Sequence, residues 1–79
     1  MMQGVLNIYK DKVYLTNHAG QFSLTSGQSL YLIIQNCRIP VVVIHSSKTG
    51  RWRFRYLENI DVAGQRVVVD NESENMEQS

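Results

Sequence analysis

The sequence predicts an all-β domain: a small barrel, or otherwise a strongly bent antiparallel sheet, of about five to seven short strands. Three observations predict it. Apolar and polar residues alternate with a period of two from Val5 to Asp70, and helical periodicity is hard to find before the C-terminal tail. Gly20, Gly27, Gly50 and Gly64 fall between the alternating runs, where turns call for unusual backbone angles. With 79 residues there is room for one core and no second domain. A sheet curled toward closure protects edges that a flat one would leave open.

The elements follow in order. Residues 5–9, VLNIY, place Leu6 and Ile8 on one face, and residues 12–16, KVYLT, do the same with Val13 and Leu15. Lys10-Asp11 between them is short enough for a tight hairpin. Residues 17–21 read as a loop, 22–25 as a strand and 26–28 as a turn. Residues 29–35 and 40–46 are aliphatic, β-branched runs, with Pro40 at the first position of its strand. Residues 47–50 turn into the strand RWRFRYL at 51–57. A loop over 58–65, with at most one helical turn, leads to the closing strand RVVVD at 66–70.

Turn lengths suggest a register for the central meander. A two-residue turn at Cys37-Arg38 pairs Leu32 with Val43 and Ile34 with Val41. The loop over 47–50 pairs Val43 with Phe54, Val41 with Tyr56 and His45 with Trp52. Leu30, Leu32, Ile34, Val41, Val43, Trp52, Phe54 and Tyr56 then form one core face. Tyr31, Ile33, Val42 and Ile44 fall on the other, beside Arg51, Arg53 and Arg55. That second face must look outward, because unpaired buried arginines would cost several kcal/mol each. Central strands that are apolar on both sides also call for a cover over Tyr31, Ile33, Val42 and Ile44. The first choice is the chain's own N-terminal hairpin, and the others are a second subunit or a partner.

Charge is divided unevenly along the chain. Residues 1–69 carry all eight Lys and Arg against Asp11, Glu58 and Asp61, a net of +5, while residues 70–79 carry Asp70, Glu72, Glu74 and Glu77, a net of −4. We expect a β domain over 1–70 and a disordered, solubilising acidic tail over 71–79. Cys37, the single cysteine, cannot form an intramolecular disulfide and fits a reducing compartment. The longest apolar run, Leu30 to Ile34, is too short to span a membrane, and MMQGVLNIYKDK lacks the features of a signal peptide. A cytoplasmic protein with no membrane partner is expected.

Few residues suggest catalysis. His18 and His45 lie apart, so no metal site is expected, and no sequence pattern calls for a cofactor. His45 beside Trp52 reads as a core-edge histidine, and Cys37 has neither a base nor an orienting partner near it in sequence. A non-enzymatic protein is the expectation. Lys48, Arg51, Arg53 and Arg55 carry chemistry of another kind. Alternate strand residues recur every ~6.7 Å, close to two nucleotide rises of ~3.4 Å. They can follow phosphates while Tyr31 offers a stacking surface, although solvated arginines on an outer strand have the same pattern.

Leu24 to Val69 resembles a family of small domains of unknown function from Gram-positive bacteria and their mobile elements. The resemblance rests on LTSGQSLYLII (24–34), the strands around GRWRF (50–54) and GQRVVV (64–69). It implies a bacterial protein with an SH3-like barrel and assigns no activity. Two functions remain as expectations. One is a protein-interaction module, including a homodimer, that uses Tyr31, Ile33, Val42 and Ile44 as an apolar patch rimmed by arginines. The other is sequence-tolerant DNA or RNA binding by Lys48, Arg51, Arg53 and Arg55.

Overall fold

A computed structural model describes residues 1–57 and 59–70. The tail expected over 71–79 lies outside the described residues. Seven strands form one antiparallel sheet: β1 (Met2–Tyr9), β2 (Lys12–Asn17), β3 (Gly20–Leu24), β4 (Gln28–Ile34), β5 (Cys37–His45), β6 (Trp52–Phe54) and β7 (Arg66–Val69). Their order is β3-β2-β1-β7-β4-β5-β6. Two three-strand meanders are therefore joined by the last strand, which pairs with β1 on one side and β4 on the other. The sheet is bent and open, and is not a closed barrel.

Two hairpins turn on left-handed pairs of residues. Lys10 and Asp11 have φ of 49° and 64°, and Gln35 and Asn36 have 50° and 66°. Such pairs match the twist of the strands they join, and Asp and Asn tolerate this backbone region better than most side chains. The β4–β5 turn therefore lies at Gln35-Asn36 and not at Cys37-Arg38. Leu30 pairs with Val41, Leu32 with Ile39 and Ile34 with Cys37, in place of the expected Leu32–Val43 and Ile34–Val41. The shift is an even number of residues, so every side chain keeps the face predicted for it. The β5–β6 register agrees with expectation, with Val43 opposite Phe54 and His45 opposite Trp52.

Leu6, Val13, Leu15, Leu30, Leu32, Val41, Val43, Phe54, Val67 and Val69 are all buried in one core on the concave side of the sheet. Ile34 and Trp52 pack against its margin. Tyr56 departs from the expected core face. Strand β6 ends at Phe54, and Tyr56 sits in the following turn with φ of 67° and is 87% exposed. Residues past β6 instead plug the open end of the curve. Val62 is buried, with Leu57 and Ile60 packed beside it.

Three features hold the curvature. At Gly4, β1 passes so close to β2 that a Cβ would lie 2.5 Å from the Thr16 carbonyl oxygen and 2.6 Å from Leu15 Cδ2. Beyond Val5, β1 leaves β7, and Leu6 bonds the loop instead: its N–H donates to Gln65 O at 2.9 Å, and its carbonyl accepts from Gly64 N at 2.7 Å. Across the gap between the two ends of the sheet, Trp52 Nε1 donates to Asp11 O at 2.9 Å. A bond of this kind contributes about 1 kcal/mol net. It ties β6 to the β1–β2 turn without a strand ladder.

Candidate binding surface on the convex face

The side chains at issue are placed by the alternation of β4 and β5. Tyr31 lies between Val68 of β7 and Pro40 of β5. Ile33 is opposite Arg38, Val42 opposite Ser29 and Ile44 opposite Arg53. Tyr31, Ile33, Val42 and Ile44 thus share the convex face, as the sequence predicts. Tyr31 is 36% exposed, and the other three are half-buried. Leu6, Val13 and Leu15 commit the N-terminal hairpin to the core on the other side of the sheet. On this face Val68, beside Tyr31, is buried, and the Met1 sulfur lies 3.8 Å from the guanidinium of Arg38.

The arginines reach the same side through the short strand β6. The N–H of Arg55 donates to Val42 O at 2.8 Å, which continues the ladder one step past Phe54 and sets Arg55 in line with Val42. A groove of about 560 Å³ runs here between Tyr31, Pro40, Val42, Arg55, Tyr56 and Asp70. Beside it, Arg53, Arg55, Tyr56 and Asn59 line a second, more polar cleft. Arg51 and Arg53 line a third with Ile8, Trp52 and Ile60, at the gap between the sheet's ends. Arg51 and Arg55 are exposed and Arg53 is half-buried, while Lys48 is exposed in the β5–β6 turn. Arg51, Arg53 and Arg55 are therefore shared among three neighbouring depressions and do not form a single row.

Tyr56 is the feature that the sequence conceals. A bulky side chain with positive φ costs about 1–3 kcal/mol, and such strain clusters at binding sites. Here it turns the phenol outward, with the Arg55 guanidinium carbon 5.6 Å from the ring centroid, within cation–π range. Tyr56→Gly should keep or raise the midpoint of thermal unfolding, because glycine adopts this angle freely. A loss of more than about 1 kcal/mol would mean that the ring packs in solution.

His45 and Trp52 lie with ring centroids 5.0 Å apart and planes tilted by 48°, and His45 Nε2 is buried without a hydrogen-bond partner. Among the described residues, no three His, Cys, Asp or Glu side chains group to hold a metal ion. No helix among them is long and apolar enough to cross a membrane. Cys37 is exposed at the start of β5.

Comparison of the chain with protein families, curated proteins and solved structures finds no match.

Proposed function

We propose that this protein is a non-enzymatic interaction module, cytoplasmic and bacterial as the sequence suggests, whose working surface is the convex face of β4 and β5. One observation carries the reading. Tyr31, Ile33, Val42 and Ile44 are strung along the outer face of β4 and β5, and Tyr31 and Val42 border a groove walled by two tyrosines, Tyr31 and Tyr56. Arg38, Arg53 and Arg55 stand at the margins of this apolar strip. Aromatic and arginine residues around an aliphatic centre are the usual composition of protein interfaces and of their energetically dominant positions.

The first partner on this reading is a second copy of the chain. A face that runs across two antiparallel strands can meet itself about a two-fold axis, and that symmetry is the commonest among homo-oligomers. Ile33→Glu puts a charge at the Arg38 end of the patch without entering the core. The expected result is a folded monomer from a dimeric wild type, read by sedimentation equilibrium together with circular dichroism. A variant that stays dimeric would place the interface elsewhere.

A second reading is favoured by the Arg55–Tyr56 pair. An exposed aromatic ring beside guanidinium groups is a stacking platform for single-stranded nucleic acid, with Lys48, Arg51, Arg53 and Arg55 available to phosphates. If Arg51, Arg53 and Arg55 each neutralise one phosphate, log affinity falls with log salt with a slope of about −2 on single strands. Replacing all three with Ala should flatten that dependence. The absence of binding to random oligonucleotides at low salt would leave the interaction module alone.

A further inference from the structure

We propose that the acidic segment 71–79 is a tethered competitor for the groove between Tyr31 and Tyr56, so that the chain regulates access to its own working surface. The inference rests on the reading of that face as a binding surface and adds its regulation.

Three observations converge on this occupant. Asp70 lines the groove together with Arg55 and Tyr56, so the segment departs from the groove wall itself. The segment is also complementary in charge. It holds Glu72, Glu74 and Glu77 with no Lys or Arg, whereas exposed Arg55 borders both the groove and the cleft formed with Arg53, Tyr56 and Asn59. In an extended chain Glu72 and Glu74 project to one side, and Met76 supplies an apolar side chain for walls formed by Tyr31, Pro40 and Val42. Length is sufficient as well. Nine extended residues reach about 30 Å, which matches the 29 and 26 Å shorter dimensions of the molecule.

A segment so polar binds weakly as a free peptide, and the tether makes that weak affinity matter. A short flexible linkage sets an effective concentration in the millimolar range. With an intrinsic dissociation constant about tenfold below that concentration, the segment occupies the groove most of the time and weakens any external ligand about tenfold. The competition is electrostatic and fades as salt screens the pairs. The segment needs no fixed conformation to act in this way, consistent with a composition expected to be disordered.

The test compares the wild-type chain of residues 1–79 with the same chain carrying Glu72→Gln, Glu74→Gln and Glu77→Gln. The probe is a synthetic peptide with the sequence of residues 70–79, titrated while the amide of Tyr56 and the side-chain Nε–H of Arg55 are followed by NMR. The expected result is about tenfold tighter peptide binding by the variant at low salt, with the difference lost at 0.5 M salt and binding reduced by a further Arg55→Ala. Equal affinity for wild type and variant at low salt overturns the proposal, as does a peptide that leaves Tyr56 and Arg55 unmoved. Weighing both proteins in solution keeps the two ideas apart. If neither self-associates, the dimer reading fails while the peptide result still decides the competition.

Discussion

Phe54→Ala should destabilise the protein by about 3–5 kcal/mol, a large part of the 5–15 kcal/mol typical of a whole domain. Phe54 is the largest of the fully buried side chains, and it stands opposite Val43 at the last rung of β6. Its loss leaves a cavity between the meander of β4, β5 and β6 and the loop residues packed beside it. At ~4–8 °C per kcal/mol for a domain of this size, the melting midpoint falls by tens of degrees, and urea unfolding gives the free energy directly. Tyr56→Ala is the internal control. It removes a ring two residues further on that is 87% exposed, and the expected cost is under ~0.5 kcal/mol. Comparable costs for the two would show that the strand continues to Tyr56.

Gly4→Ala is the second large effect. Most glycines here are tolerant of space, since a Cβ at Gly20, Gly27, Gly50 or Gly64 meets nothing within 4 Å, and only their positive φ restricts substitution. Gly4 is the opposite case. A methyl group there collides with the Thr16 carbonyl and with Leu15, which is itself fully buried, so neither neighbour can yield without shifting β2. Overpacking of this kind costs about 1–3 kcal/mol, measurable by urea unfolding. Gly20→Ala should cost less than Gly4→Ala. The reverse order would mean that β1 and β2 approach less closely than the structure shows.

Much of this fold can be read from the residues, and the misses have physical causes. Alternation alone assigns Leu30, Leu32, Val41, Val43 and Phe54 to the core and Tyr31, Ile33, Val42 and Ile44 to the other face. That assignment survives a misplaced turn because the register moves by an even number of residues. The turn itself is concealed because Gln35 is an unusual occupant of a left-handed position, while Cys37-Arg38 separates the two apolar runs more evenly. Val62 is concealed because it enters the core from an irregular loop, where no period marks it. Tyr56 is concealed for the opposite reason. It continues the alternation of Trp52 and Phe54, and only the positive φ that ends the strand turns it outward.

A contact surface on the convex face of β4 and β5 is the central proposal for function. NMR spectra recorded across a dilution series test this most directly, because they report where association occurs as well as whether it does. Concentration-dependent shifts are expected at Tyr31, Ile33, Val42 and Ile44, extending to Tyr56, with Leu6, Val13 and Leu15 in the core unmoved. Spectra unchanged between dilute and concentrated samples, or shifts centred on the edge strand β3, would contradict it.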